Sequence, residues 1–255
     1  MIEPEIAACA ALVERGDPDR FLAVMAAPVA ARRPLWVLCA FNLELARAPW
    51  VTHEPMVAEM RLQWWRDVVG SDQRRAHEVA GPLHDLIRAG LPTWVLDRMV
   101  AARRWDVYRD GFADQHAFDD YLDDTGASLM WLGALALGAG AEAEVAVRQF
   151  GWAAALAAFL QAVPELLARG RLPLLDDGAE ALRDLAREGL RGIARARENR
   201  YLVGPGAPAL FAGWQAEAVL RQVLADPAAV VAGRLGLSEF QRRGRLLWQG
   251  ATGRW

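Results

Sequence analysis

The densest carboxylate group in this chain is Asp119-Asp120 followed by Asp123-Asp124. The two pairs fall one helical turn apart, so Asp119 with Asp123, and Asp120 with Asp124, share helix faces and can offer oxygen ligands to a hard divalent cation such as Mg²⁺. Acids in the first turns of a helix also complement its positive end and face water, which is the competing reading of the same residues. Arg103 with Arg104, and Arg169 with Arg171, are spaced either to clamp an anion or to serve as ordinary helix-end charges. The four histidines, His53, His77, His84 and His116, show no metal-ligand spacing and read as surface or structural residues. The chain has no lysine, which excludes Schiff-base and P-loop lysine chemistry. It has no Gly-x-Ser-x-Gly elbow and no glycine-rich phosphate cradle after a strand. Trp64-Trp65 fits a buried aromatic stripe or a binding platform.

These residues must be positioned by helices, because apolar residues recur at helical spacing and nothing alternates with period two over a strand's length. The central element is the stretch 151–177, where Trp152, Leu156, Phe159, Leu160, Val163, Leu166 and Leu167 form an apolar stripe. Pro164 predicts a kink within it, and Arg169-Gly170-Arg171 with Pro173 predicts its end. Further helices are expected over 3–15, 20–27, 35–48, 56–69, 74–89, 93–109, 114–138, 176–198 and 207–224, with Asp17-Pro18-Asp19 as a cap and start. The tail 234–255 carries Arg242, Arg243, Arg245, Leu246, Leu247 and Trp248, and reads either as a packed C-terminal helix or as a segment lying on an anionic membrane. With no linker and no repeat, the expectation is a single all-α domain over 1–255.

Five segments, taken in order, resemble the squalene/phytoene synthase family: D-P-D-R-F-L from Asp17, R-R-P-L-W-V-L-C-A-F-N-L-E-L-A from Arg32, R-L-Q-W-W-R-D from Arg61, Y-L-D-D-T-G-A-S-L from Tyr121, and A-R-G-R-L-P-L from Ala168. The resemblance implies an isoprenoid-synthase-type helical bundle around a central apolar cavity. Working members of that family hold Mg²⁺ and prenyl diphosphate with two DxxxD motifs on facing helices. Here the resemblance sets the first motif's aspartates at Ala46 and Trp50 and the second's at Ala162 and Leu166, so both pairs are replaced. Glu44 is the only acid between Pro34 and His53, and Glu165 the only one between Gly151 and Leu174. One carboxylate per helix does not rebuild such a clamp, and loss of all four should abolish diphosphate ionisation rather than slow it. The F-N-x-E-L-A run, R-L-Q-W-W-R and Val163-Pro164 resemble one branch of the family, the mitochondrial complex I assembly factor with a squalene/phytoene synthase domain and its bacterial relatives. The usual tyrosine after R-G-R-L is Pro173 here.

The resemblance and the replaced motifs together imply a degenerate synthase scaffold with no catalytic residue, no metal and no cofactor, contacting respiratory-complex subunits. Phe41, Asn42, Glu44, Leu45, Tyr121, Phe159, Val163, Arg169 and Arg171 are then its candidate cavity or anion contacts. An isoprenoid or other lipid is the expected ligand if the cavity is retained, either alongside that role or in a carrier without it. The alternative is an active head-to-head prenyltransferase whose Mg²⁺ site has moved to Asp119, Asp120, Asp123 and Asp124. The near balance of 29 basic and 32 acidic residues gives no field for nucleic acid. Cys9 and Cys39, both in apolar helical contexts, read as buried thiols of a reducing compartment. The acidic start MIEPEIAACA and the lack of an uninterrupted apolar run of spanning length predict a cytoplasmic protein, at most peripheral at the inner face of a membrane.

Overall fold

The computed structural model describes residues 3–51 and 54–255. His53 lies outside the described residues. The architecture is the all-α bundle the sequence predicts, with no strand among the described residues. Helix α1 spans Pro4–Gly16 and α2 Pro18–Ala26. Asp17 separates them: its side chain accepts from the Arg20 N–H at 3.0 Å, while Pro18 occupies the first turn, where its missing donor costs nothing. Helix α3 runs Val29–Arg47, five residues earlier than the expected start at Pro34. Arg32 accounts for part of that extension, donating to the carbonyls of Ala27 at 3.0 Å and Met25 at 2.8 Å and so joining the end of α2 to the start of α3.

Helices α4 (Pro55–Val69), α5 (Ala80–Arg88) and α6 (Thr93–Ala102) come next. The expected helix over 74–89 is shortened because His77 Nδ1 accepts from the Val79 and Ala80 N–H groups and starts α5 late. Arg103–Asp106 then tightens to a 3₁₀ turn. The expected long helix over 114–138 is three pieces: α7 (Gln115–Leu122), a π-helical segment (Asp123–Ala127) and α8 (Ser128–Ala136). Asp114, expected as the first helical residue, is instead the N-cap, accepting from the Ala117 N–H at 2.8 Å. The π segment lies where Gly126 meets the next long helix; a Cβ there would come within 2.3 Å of the Ala155 Cβ.

That helix, α9 (Glu144–Ala168), is central and continues through Pro164. It packs on α8, on α10 (Ala179–Glu198) and on α11 (Ala216–Ala225). With the residues just before it, 141–168 is long and apolar enough to cross a membrane; its most apolar 18 residues have a mean hydropathy of 1.4, and half of them are buried in the bundle. The expected helix over 207–224 begins instead as a 3₁₀ stretch, Gly204–Gly213. Pro205 and Pro208 lack the N–H that a regular ladder needs, and Gly206 and Gly213 press against Ala134 and Phe150. Helix α12 (Ala228–Val231) is a single turn, and α13 (Glu239–Thr252) packs by one face on α2. The buried apolar residues form one contiguous cluster.

Candidate functional site

The end of α9 sets the site. Gly170 adopts φ +72°, a left-handed conformation open to glycine at little cost. This lets the Gly170 N–H bond the Leu167 carbonyl at 2.9 Å and the Arg171 N–H bond the Leu166 carbonyl at 3.0 Å, the two bonds of a Schellman closure. The reversal drives Arg171 into the bundle, where it is 4% exposed. Its guanidinium donates to the carbonyl of Asp106 at 2.7 Å and to that of Trp105. It lies 4.3 Å from the centre of the Trp105 ring and 5.9 Å from that of Trp50. At the rim, Arg169 stacks 4.3 Å over Trp50 and pairs with Glu165. Burial lowers the pKa of Arg171, and the charge of Asp106 opposes that shift.

Beneath this staple, the Tyr121 hydroxyl donates to the Asp106 carboxylate at 3.0 Å and accepts from Arg103 at 3.1 Å. Arg103 also bonds Asp106 at 3.2 Å and the Asn42 side-chain oxygen at 3.1 Å. Three elements, α3, the turn after α6, and α7, are thereby tied together. Burial, reinforced by the Asp106 charge, pushes the Tyr121 pKa far above its ordinary value, so the phenol keeps its proton. Against this network packs an aromatic cluster. Trp105 stacks on Phe112 with centroids 4.2 Å apart and planes 6° apart, and Phe118, Tyr121 and Phe159 meet at 5.3 to 5.9 Å. Arg171 Nε and Trp105 Nε1 are the two buried polar atoms of this group without a partner.

The four motif positions lie at this end of α3 and α9. Trp50 is 40% exposed, Ala162 is exposed, Ala46 is half-buried and Leu166 is buried. None carries an oxygen ligand, so these residues do not fit the Mg²⁺ that the family's motifs hold. Neither nearby acid replaces them: Glu165 is exposed and paired with Arg169, while Glu44 faces a groove shared with Arg61, Trp64, Trp65 and His77.

Of the candidate contacts, Asn42, Tyr121, Phe159 and Arg171 are brought together in one cluster, with Arg169 at its rim. Phe41 instead packs edge-on against Trp65 at 5.3 Å, and Leu45 and Val163 are fully buried. Trp65 is core, and Trp64 packs against it and His77 rather than forming a free platform. Sequence reasoning missed Trp105, Asp106 and Phe112, which lie on or beside the irregular segment between α6 and α7, and Phe118, whose helical spacing with Tyr121 and Leu122 was the signal that could have found it.

The four acids of the alternative metal site go to separate partners. Asp123 pairs with Arg148 at 2.8 Å, Asp124 with Arg98 at 2.7 Å, Asp120 approaches His116 at 3.5 Å, and Asp119 accepts from Gln115 at 2.9 Å. Burial raises the pKa values of Asp119, Asp123 and Asp124, with the arginines opposing it at the last two. Among the described residues no group of three or more His, Cys, Asp or Glu is placed to hold a metal ion.

A separate apolar cavity of about 160 Å³ opens between α2, α3, α8, α9 and the 3₁₀ stretch. Its walls combine small residues, among them Gly126, Gly151, Ala154 and Ala155, with Leu35, Leu38, Leu129 and Met130. Asp17, Asp19, Arg20, Gln161 and Gln215 form its polar end. The charges there are already matched: Arg20 pairs with Asp17 at 2.7 Å, and Asp19 receives both Gln215 at 2.7 Å and Arg242. The volume is below the roughly 300–1,000 Å³ usual for a site that engulfs a drug-sized ligand.

An all-α bundle with an apolar cavity lined by α2, α3, α8, α9 and the 3₁₀ stretch is the isoprenoid synthase class of fold. The sequence model of squalene/phytoene synthase matches residues 13–177, and the chain belongs to that family. Among solved structures, a dehydrosqualene synthase in complex with ligand superposes with a TM-score of 0.77 over 98% of this chain and 96% of that one, at 15% identity. Squalene synthase HpnC from Alicyclobacillus acidocaldarius gives 0.69 over 91% and 95%, also at 15% identity. The curated relatives are of another kind. "NADH dehydrogenase (ubiquinone) complex I, assembly factor 6 homolog" of Drosophila melanogaster is 28% identical over 179 residues, 66% of this chain and 53% of that protein. Assembly factor 6 of Bos taurus is 26% identical over 129 residues, 49% of this chain and 38% of that protein. The chain thus spans about half or less of the length of these relatives.

Proposed function

We propose that this chain is a non-catalytic member of the squalene/phytoene synthase family that assists assembly of a respiratory complex by protein contact. It acts as a single domain over 1–255, without metal or cofactor, at the inner face of the membrane that carries the complex. The observation that supports this reading best is the closed end of the α3–α9 pair. Where diphosphate and Mg²⁺ need four carboxylates, the chain has Ala46, Trp50, Ala162 and Leu166, and the space beside them is taken by the Arg171 staple and the Trp105 cluster. The arginines that reach into this end are committed, Arg171 to backbone carbonyls, Arg103 to Asp106 and Arg169 to Glu165 and the Trp50 ring. The similarity to complex I assembly factors supplies the process.

The test is deletion of the gene followed by measurement of membrane NADH dehydrogenase activity and of carotenoid or hopanoid content. The expected result is a loss of the first with the second unchanged, restored by the wild-type chain. A loss of isoprenoid product with normal NADH dehydrogenase activity would overturn the reading. The small cavity favours at most a compact apolar ligand as a secondary feature, readable as lipid that co-purifies with the protein and is identified by mass spectrometry.

A further inference from the structure

Helix α13 is held to the bundle by little. Only Gln249 is buried, with Arg242 and Leu246 half-buried on the same face. Arg242 reaches Asp19 and lies 5.5 Å from the Trp214 ring centre, and Gly250 sits against the carbonyl of Ala26. The helix is nonetheless well terminated. Ser238 and Gln241 form a reciprocal capping box, and Gly253 closes the other end at φ +66°.

Its opposite face is apolar and open. Phe240, Leu247 and Ala251 recur at i, i+7 and i+11, one stripe of the helix, with Phe240 88% and Leu247 74% exposed. Trp248, 50% exposed, flanks the stripe on one side and Arg243 on the other. Residues 238–255 hold four arginines and one glutamate, a net charge of +3 in a chain whose total is −3. Arg197 and Arg200 border the same end of the molecule, sharing a groove with Arg245, Trp248 and Arg254. Exposed large apolar residues with cations on their flanks fit an interface that is apolar inside and anionic at its surface.

We infer that the outer face of α13 is a docking surface for an anionic lipid bilayer, with Phe240, Leu247 and Trp248 entering the headgroup boundary and Arg243 and Arg254 meeting the phosphates. This does not depend on the assembly role, and its test is read without respiratory activity. The full chain is sedimented with vesicles of phosphatidylcholine alone and of phosphatidylcholine with phosphatidylglycerol. Binding is expected only to the second, weakening as salt is raised. Phe240→Ser/Leu247→Ser and, separately, Arg243→Gln/Arg254→Gln should each lower the partition coefficient about tenfold or more. Arg243→Lys/Arg254→Lys should retain it, and circular dichroism should report unchanged helix in all three. Absence of binding to anionic vesicles, or equal binding by either disabling variant, would overturn the inference. So would a concentration-dependent dimer abolished by Phe240→Ser, which would assign the face to a second copy of the chain.

Discussion

Around the C-terminal ends of α3 and α9, near Ala46, Trp50, Ala162 and Leu166, long side chains close the bundle: Arg171 crosses from the end of α9 to the carbonyls of the 103–106 turn, and five aromatic rings fill the space behind it. A few turns away, around Cys39 of α3 and Ala155 of α9, the elements meet through glycine and alanine and a cavity is left between them. The two regions lie on one pair of helices and achieve order by opposite means. One is specified by hydrogen bonds and ring stacking, the other by the absence of side-chain volume. The difference teaches that one end of a bundle can be closed by hydrogen bonds and stacked rings while an open volume persists where glycine and alanine bring the elements together.

That contrast is most open to challenge through Phe159, which joins the rings at the closed end. Phe159→Ala should cost about 3–5 kcal/mol, the usual range for deleting a buried aromatic, read as a shift of the urea midpoint at unchanged slope. A loss below about 1 kcal/mol would mean the cluster is loosely packed. Next, Arg171→Met keeps the bulk of the side chain but removes its donors from the carbonyls of Asp106 and Trp105. About 2–3 kcal/mol should be lost, as for buried hydrogen bonds from a charged group, and a neutral result would mean that the staple does not hold this end closed. At the other region the sign of the volume change reverses. Gly151→Ala places a Cβ 2.7 Å from the Cα of Ala127, so a helix backbone must shift, and overpacking of about 1–3 kcal/mol is expected. Stabilisation by that substitution would show that the elements there are not in close contact.

The smallest effect concerns pH. Burial pushes the thiols of Cys39, on the cavity wall, and Cys9 up to about 12, with nearby acids adding to the shift at Cys9. The folded state therefore holds these protons longer than the unfolded chain does. Stability from the thiols is complete below pH 9 and falls as pH rises from about 9 towards 12. Cys39→Ala/Cys9→Ala should flatten that part of the stability profile.

Much of the scaffold could be read directly. Asp17, Asp114 and Gly170 mark real element ends because caps and left-handed turns have local chemistry. The break at 123–127 could not, since it arises from the approach of Gly126 to Ala155, a contact made only after folding. The site divides in the same way. Asn42, Tyr121 and Arg171 lie in family-like segments and Phe159 in the apolar stripe of α9, whereas Asp106 and Trp105 sit in a short 3₁₀ turn whose partner Arg171 is more than sixty residues distant. Periodicity carries no information about such a pairing. The way Arg171 and the rings fill the space beside Trp50 and Leu166 leaves no mark in the local sequence either.

Pyrophosphate release from farnesyl diphosphate, measured on the purified chain with and without Mg²⁺, tests most directly whether the closed end has lost its chemistry. A scaffold without the four carboxylates should give release no faster than in buffer alone under either condition. Mg²⁺-dependent release accompanied by a C30 product would contradict it.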